Sequence, residues 1–252
     1  MIAVDVGDTE QSGKVIRGLE KELGAELRYI LTTHKHWDHT NGNLYWQQER
    51  PEVKILGSQL GLKDGCVPGL IPENAMHDLQ TMTIGDLCIC CMETPGHTAD
   101  HCSFIVTHVT PESNKNPFLF CGDTMFIGGV GRLLDGQKHG IDLFESIKKL
   151  MALPNETLVF CGHEYSVSNL EFASKLEPEN ETISSKLGLM RDMKKSGHFT
   201  VGSPLMDERL YNPFVRCLGA AGLDVKEYYA QITGENADAV DRVFLKVRKL
   251  KD

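Results

Sequence analysis

Thr33-His34-Lys35-His36-Trp37-Asp38-His39 holds three of the chain's ten histidines and one aspartate. The apolar run Tyr29–Leu31 before it predicts a strand, and a helix is expected from about Asn41. Imidazole and carboxylate groups are the ligands that suit zinc and similar divalent metals. A loop at the end of a strand can turn several such side chains toward one point. The stretch therefore predicts a metal site.

Three more polar residues follow later strand-like runs, and a glycine stands immediately before each of them. They are His97, Asp123 and His163. Glycine permits tight backbone turns, which let a side chain at a strand end point into a crowded cleft. Together with the four ligand-type residues of the first stretch they make seven candidate ligands. Seven ligands are enough for two metals that keep open positions.

Short apolar runs bounded by turn residues recur through the first two thirds of the chain and predict strands. They lie at 2–6, 27–31, 53–56, 87–92, 102–106, 118–121 and 158–161. Helical spacing is found between them at 10–23, 41–48, 142–151 and 168–176. This alternation predicts a layered α/β fold with two sheets and helices outside.

The character of the sequence changes after Glu177-Pro178-Glu179. Strand-like runs are no longer found, and helical spacing with charge is seen at 181–195, 224–232 and 237–249. We therefore expect a catalytic domain over 1–177 and a small helical domain over 178–252.

The composition excludes several classes of protein. With 252 residues and 41% hydrophobic residues, the chain can bury a substantial core without disulfides, and we expect its eight cysteines to be reduced. The formal net charge of −9 argues against binding to nucleic acid or to an anionic membrane surface. No apolar run has the roughly 18 residues of a membrane helix. An anionic substrate would have to be met by local positive charge.

Other catalytic signatures are absent from the sequence. There is no H-E-x-x-H, no G-x-x-x-x-G-K-[ST] and no G-x-S-x-G. Gly129-Val130-Gly131 is not followed by the third glycine of a dinucleotide-binding fingerprint. The candidate metal ligands are therefore the remaining indication of the chemistry that this protein carries out.

The run His34-x-His36-x-Asp38-His39, followed by His97, Asp123 and His163, resembles the metallo-β-lactamase superfamily. Within that superfamily the fuller motifs resemble glyoxalase II, the hydroxyacylglutathione hydrolases. These motifs are residues 32–39, 121–126 and 161–165, and Tyr211-Asn212-Pro213-Phe214. The resemblance implies an αβ/βα sandwich with the metals at one edge and a small C-terminal α-helical domain that helps to hold glutathione.

The resemblance also implies roles for individual residues. One metal would be held by His34, His36 and His97, the other by Asp38, His39 and His163, with Asp123 bridging the two and Asp38 and Asp123 serving catalysis. Zinc is the expected metal, with iron and manganese as alternatives. The glutathione moiety would be surrounded by Arg132, Tyr165, Asn169, Arg248 and Lys251. Asp5 and His101 are expected to orient ligands by hydrogen bonds.

The implied reaction is hydrolysis of S-(2-hydroxyacyl)glutathione, such as S-D-lactoylglutathione, to glutathione and a 2-hydroxy acid. A hydroxide shared by two divalent ions would be the nucleophile, because metal-bound water ionises near neutral pH. The leaving thiol has a pKa of about 8.5 by analogy with cysteine, so no separate general acid is required. We expect a monomer in the cytoplasm, or in mitochondria if an N-terminal extension is missing.

Three features depart from the family pattern. Leu134 stands where the family commonly has an aromatic residue, which removes a possible hydroxyl contact to the substrate. The chain begins almost at Val4-Asp5-Val6, whereas relatives usually have one or two earlier strands, so a shortened form is expected. Residues 110–116 look like an inserted hairpin loop without catalytic content.

Two other functions remain open at the level of sequence. One is a mononuclear-iron dioxygenase that acts on glutathione persulfide and would use His34, His97 and Asp123. The helical tail speaks against it, because such relatives resemble glyoxalase II mainly in the catalytic domain. The other is a relative that has little turnover and acts as a binding or scaffold protein. A nuclease of this fold is disfavoured by the acidic balance of the chain.

Overall fold

The computed structural model describes residues 1–110, 116–134, 139–219, 225–236 and 238–251. The hairpin loop expected at 110–116 therefore lies almost wholly outside the described residues. Within these ranges no helix has the length and apolar character needed to cross a membrane. All eight cysteines lie within the ranges and are free thiols.

The first sheet contains four parallel strands in the order β1-β2-β3-β4. They are β1 Ile2–Val4, β2 Tyr29–Leu31, β3 Lys54–Ser58 and β4 Ala75–Met76. The helices between them are α1 Thr9–Leu23, α2 Trp37–Thr40, α3 Asn43–Glu49 and α4 Gln59–Lys63, and a 3₁₀ turn spans Pro72–Asn74. The crossover helices are what parallel neighbours require.

The second sheet contains six strands in the order β12-β11-β8-β7-β6-β5. Four are β5 Thr81–Ile84, β6 Leu87–Glu93, β7 Cys102–His108 and β8 Phe118–Gly122. A short hairpin of β9 Met125–Phe126 and β10 Gly129–Val130 follows, then helix α5 Gly140–Met151. The sheet is completed by β11 Leu158–Cys161 and β12 Ser203–Pro204. All its pairings are antiparallel except β8–β11, which is parallel.

Three apolar clusters hold the layers together. One lies between the sheets and includes Leu31, Ile89 and Phe104. A second packs the first sheet against α1 and α3 around Ile16 and Trp46, and a third packs the second sheet against α5 and the C-terminal helices. The predicted arrangement of two sheets with helices outside is thus confirmed.

The C-terminal part is helical, as the sequence predicts. Its helices are α6 Ser166–Leu176, α7 Glu181–Lys195, α8 Leu205–Tyr211, α9 Pro213–Arg216, α10 Val225–Thr233 and α11 Val240–Lys251. The expectation that strands end before Glu177 was wrong, because β12 pairs with β11. A two-residue strand of serine and proline carries no apolar alternation by which sequence could reveal it.

The helix expected at 41–48 is also different in the structure. The chain forms two short helices, α2 and α3, separated by Asn41 and Gly42. A side chain at Gly42 would overlap Val6, so the backbones pass close together at this point. Asp38 and His39 lie on the helical turn α2 and not in an extended strand-end loop.

A buried ion pair fixes the C-terminal helices to one another. The Arg216 guanidinium donates two hydrogen bonds of 2.8 Å to the Glu177 carboxylate, and the Tyr229 hydroxyl donates a third. The side chains of Arg216 and Glu177 are only 5% and 10% exposed. Removal of one partner from such a pair leaves an uncompensated buried charge.

We predict that Arg216→Leu lowers the free energy of unfolding by about 3–5 kcal/mol, because the buried Glu177 carboxyl would lose its cationic partner. Urea denaturation followed by circular dichroism measures this loss. The control is Arg191→Leu at the exposed pair with Glu171, where the loss should stay within about 1 kcal/mol. Equal losses in the two variants would show that the buried ion pair contributes no more to the free energy of unfolding than the exposed pair does.

Candidate metal centre and substrate cleft

The first group of candidate ligands consists of His34, His36 and His97. His34 Nε2 lies 2.9 Å from His36 Nδ1, and His97 Nε2 lies 3.0 Å from the same His36 atom. His34 follows β2, His36 precedes α2, and His97 lies between β6 and β7. Side chains from both sheets therefore converge on one point.

Hydrogen bonds on the far side of two of these rings set their tautomers. Thr33 Oγ1 donates to Asp5 Oδ2 over 2.8 Å and therefore accepts from His34 Nδ1, 3.0 Å away. His97 Nδ1 donates to the carbonyl oxygen of Arg132 over 2.9 Å. A neutral imidazole carries one N–H, so Nε2 of each ring presents a lone pair to the group. Lone pairs that converge at these distances favour a cation between them.

The second group consists of Asp38, His39 and His163. His39 Nε2 lies 3.2 Å from His163 Nε2, and His163 Nε2 lies 3.2 Å from Asp38 Oδ2. Asp123 lies between the two groups, with Oδ1 3.5 Å from His39 Nε2 and Oδ2 3.6 Å from His97 Nε2. Its carboxylate is thus placed to be shared by both groups.

The strand order explains why distant parts of the sequence meet here. In the parallel pair β8–β11, Cys161 is opposite Gly122, so Asp123 and His163 leave the sheet at the same edge. The adjacent β7 runs antiparallel to β8, so the loop that carries His97 reaches this edge as well. Sheet topology therefore delivers three ligand-type residues from the second sheet to one place.

The local structure requires all three glycines before these residues, and Gly122 and Gly162 lie nearest the candidate centre. Gly122 has φ of +46°, in the left-handed region that side chains disfavour, and a Cβ there would overlap Thr33. A Cβ at Gly162 would overlap Asp123 Oδ1 and His39. Glycine at 162 therefore leaves the space in which the Asp123 carboxylate sits.

Burial makes the centre suited to a cation. Desolvation holds the pKa of His34 and His36 below the usual range and lowers that of His97 to about 4, so these rings are neutral at neutral pH. It also raises the pKa of Asp123 to about 6. Asp123 Oδ1 is buried and has no hydrogen-bond partner. The neutral imidazoles of the first group, together with a buried carboxylate oxygen that has no hydrogen-bond partner, fit a divalent metal ion.

Asp5 lies behind the centre and contacts two parts of the first stretch. Its Oδ1 accepts from the Thr33 backbone N–H over 2.8 Å, and its Oδ2 lies 2.7 Å from His39 Nδ1. Burial opposes charging of His39, but the Asp5 hydrogen bond raises the pKa of that ring above its ordinary value. A carboxylate in this position fixes the ring so that Nε2 faces the second group.

His101 is fully buried and supports Asp123. Its Nε2 accepts from the backbone N–H of Asp123 over 3.1 Å, so Nδ1 carries the proton. Nδ1 lies 3.0 Å from Thr124 Oγ1 and 3.2 Å from Thr94 Oγ1. These contacts fix the turn on which Asp123 lies.

A cavity of about 420 Å³ opens beside the two groups. Its lining residues are His36, Asp38, His97, Asp123, Phe126, Val130, Arg132, Leu134, His163, Tyr165, Ser168, Asn169, Arg248 and Lys251. All five residues expected around glutathione are therefore brought to one cleft with the candidate ligands. Sequence reasoning missed Phe126, Val130 and Ser168, which carry no chemical motif.

The residues expected around glutathione are held by contacts to their neighbours. Lys251 Nζ donates to Asn169 Oδ1, and Arg248 donates to the Val130 carbonyl oxygen over 3.1 Å. The Tyr165 ring stacks on His163 with centroids 5.1 Å apart. Three cationic side chains therefore line the same cleft as the candidate ligands, on a chain whose net charge is −9.

Comparison with protein families assigns the two parts of the chain. Residues 4–163 match the family model "Metallo-beta-lactamase superfamily". Residues 164–252 match the family model "Hydroxyacylglutathione hydrolase C-terminus". The fold and the centre thus define a metallo-β-lactamase superfamily protein, and this class implies a site for two metal ions with histidine and aspartate as candidate ligands.

Individual relatives narrow the assignment. The chain is 38% identical over 215 residues to "Hydroxyacylglutathione hydrolase cytoplasmic" of Arabidopsis thaliana, covering 84% of this chain and 78% of that protein. It is 34% identical over 249 residues to the hydroxyacylglutathione hydrolase of Nostoc sp., covering 98% of this chain and 89% of that protein. The chain belongs to the hydroxyacylglutathione hydrolase family, glyoxalase II.

Solved structures support the fold independently. ETHE1 from Myxococcus xanthus matches with a TM-score of 0.58 and 21% identity, covering 100% of this chain and 88% of that chain. A metallo-beta-lactamase from Staphylococcus aureus matches with a TM-score of 0.59 and 19% identity, covering 99% and 63% of the two chains. At these identities the likeness shows the fold alone.

We predict that Asp5→Asn weakens metal binding at the second group about 10- to 100-fold, because His39 loses its anionic partner, and weakens the first group less, because Asp5 reaches that group only through Thr33. Zinc titration against a chromogenic chelator should then show one tight ion per chain where the wild type shows two. Asp8→Asn is the control, because Asp8 only caps α1 by accepting from the Gln11 N–H. Two equally tight ions in Asp5→Asn would contradict the role given to Asp5.

Proposed function

We propose that this protein hydrolyses S-(2-hydroxyacyl)glutathione, such as S-D-lactoylglutathione, to glutathione and a 2-hydroxy acid. The observation that carries this proposal is the cleft in which five of the seven candidate metal ligands and the cations Arg132, Arg248 and Lys251 line one cavity. The centre is suited to attack on a carbonyl, and the cations are suited to an anionic substrate. The family to which the chain belongs supports the same activity.

We assign His34, His36 and His97 to one metal ion, and Asp38, His39 and His163 to the other. Asp123 would be shared, since its Oδ2 lies 3.6 Å from His97 Nε2 of the first group and 3.5 Å from His163 Nε2 of the second. Zinc is the proposed metal, because imidazole and carboxylate ligands suit it. When bound, two such ions acidify water and polarise a carbonyl group.

Asp38 and Asp123 are the proposed catalytic residues. Both line the cleft, and Asp38 Oδ2 lies at its wall, 3.2 Å from His163 Nε2. A carboxylate oxygen at this place can accept a hydrogen bond from the attacking water and orient it toward the thioester carbon. The leaving thiol has a pKa of about 8.5, so the thiolate departs without a dedicated proton donor.

The substrate-side residues would recognise the peptide part of the substrate. Glutathione carries two carboxylates, and charge-assisted hydrogen bonds to arginine and lysine are the usual means of binding them. Arg132 is exposed at the cleft, whereas Arg248 is only 3% exposed and is fixed by its bond to Val130. Arg132 would attract the anionic glutathione moiety, and Arg248 would position its carboxylates.

The alternatives are less well supported. The match of residues 164–252 to the hydroxyacylglutathione hydrolase C-terminus does not favour a persulfide dioxygenase, and the likeness to ETHE1 concerns the fold alone. A scaffold without turnover would have no use for cations and candidate ligands in one cleft. We further propose a monomer in the cytoplasm, in line with the name of the Arabidopsis relative.

We predict that the zinc-loaded protein hydrolyses S-D-lactoylglutathione and that His36→Ala and Asp123→Ala lower kcat at least about 100-fold, because each loses a ligand of the centre. Loss of thioester absorbance measures the rate, and metal analysis gives the ions per chain. His77→Ala, at an exposed histidine, is the control. Two bound ions without turnover would contradict the proposal. One iron with oxygen consumption on glutathione persulfide would instead indicate the dioxygenase.

We predict that Arg132→Met raises KM about five- to tenfold at low ionic strength and changes kcat less than twofold, because a remote cation contributes to binding and not to the reacting bond. Added salt should narrow the difference from wild type. Arg191→Met, an exposed arginine on α7, is the matched control. An unchanged KM in Arg132→Met would show that Arg132 does not bind the substrate.

A further inference from the structure

The segment Phe126–Val130, here called the floor segment, connects the two halves of the cleft. It leads from Asp123, in the metal centre, to Arg132, on the substrate side, and its residues Phe126 and Val130 line the cavity. Its own pairing is limited to Gly129↔Phe126 and Val130↔Met125. So short a hairpin has little stability of its own, and its position depends on other contacts.

The C-terminal helices supply those contacts. Asn169 Nδ2 donates to the Ile127 carbonyl oxygen and Asn212 Nδ2 to that of Gly129, each over 3.0 Å. In the opposite sense, Glu208 Oε2 accepts from the backbone N–H of Gly128 over 3.0 Å. Glu208 on α8 therefore fixes the tip of the segment at Gly128, which has φ of +70°.

Glu208 is an unusual choice for this position in the core. Its residue is 0% exposed, and it also accepts from the Tyr211 hydroxyl over 2.7 Å and from Asn212 Nδ2 over 2.9 Å. Burial raises the pKa of its carboxyl to about 7, a shift that the three donors oppose. Burial of an apolar side chain at this site would cost less free energy than burial of a carboxyl group. We therefore look for a role in the hydrogen bonds that its oxygens accept.

The tip that Glu208 holds is next to the substrate-side residues. A Cβ on Gly129 would come within 2.8 Å of Asn169 Cγ and 2.9 Å of Lys251 Nζ, so the backbone here lies directly against both. The base of the hairpin, where the chain leaves Asp123 and reaches Arg132, is fixed separately, because Gly131 N donates to the Thr124 carbonyl oxygen over 3.2 Å. Movement of the tip would therefore disturb the substrate side and leave the metal centre in place.

We infer that Glu208 is a positioning residue for the glutathione end of the cleft, acting through the Gly128 N–H, and that it sets substrate affinity and not the chemical step. This inference rests on the proposed function for its substrate. Glu208 is not among the residues that line the cavity, so it would act on the substrate only through the floor segment.

The test compares the metal-loaded wild type with Glu208→Leu, which keeps a similar volume and removes the acceptor, and with Glu208→Asp, a milder change that shortens the reach to Gly128. Both should raise KM for S-D-lactoylglutathione about five- to tenfold, with kcat and metal content within twofold. Tyr211→Phe is the matched control, because it removes a donor to the same carboxylate and leaves the Gly128 bond. Its KM should stay within twofold of wild type.

Amide hydrogen exchange gives a second readout that does not need turnover. Exchange over residues 126–130 should become faster in the Glu208 variants and remain slow in Tyr211→Phe. If wild type does not hydrolyse the thioester, the proposed function fails, while the exchange result still decides whether Glu208 holds the segment. The inference would be overturned if KM and hydrogen exchange were unchanged in Glu208→Asp. It would also be overturned if the Glu208 variants lost kcat or metal instead, or if Tyr211→Phe had equal effects.

Discussion

The hydrogen bonds of Asp5 join the first sheet to the candidate metal centre. Asp5 has φ of +52°, a conformation that is uncommon for an aspartate and is kept here by the surrounding contacts. From this position its carboxylate accepts from both the backbone and the hydroxyl of Thr33 and contacts the His39 ring. One carboxylate thus fixes the start of the ligand stretch and the orientation of a ring in it. The lone pairs that face one another in the centre depend on this arrangement.

The rest of the centre depends on the way the second sheet ends. Asp123 and His163 meet because β8 and β11 are parallel neighbours, and His101 fixes the Asp123 turn from behind. The C-terminal helices then complete the cleft, since α11 contributes Arg248 and Lys251 and α6 contributes Asn169. The candidate metal centre is therefore built where the two sheets end, and the C-terminal helices supply much of the proposed substrate side. Glu208 connects the two parts through the floor segment.

The sequence predicted the features that carry a strong local signal. The long apolar strands were found because they contrast with their flanking turns, and the ligand-type residues were found because histidine and aspartate cluster at strand ends. The two-residue strands β4, β9, β10 and β12 have no pattern that a sequence could show. Phe126, Val130 and Ser168 were missed because apolar and small residues at a cleft look like ordinary core or surface. Glu208 was missed because a single glutamate in an amphipathic helix is usually solvated, and only tertiary contacts reveal its burial.

The most direct test of this account is anomalous diffraction from crystals of the zinc-loaded protein with bound glutathione. The account predicts two zinc peaks, one among His34, His36 and His97 and one among Asp38, His39 and His163, with Asp123 between them. It also predicts that the glutathione carboxylates lie against Arg132, Arg248 and Lys251. A single metal peak, or glutathione bound away from this cleft, would contradict it.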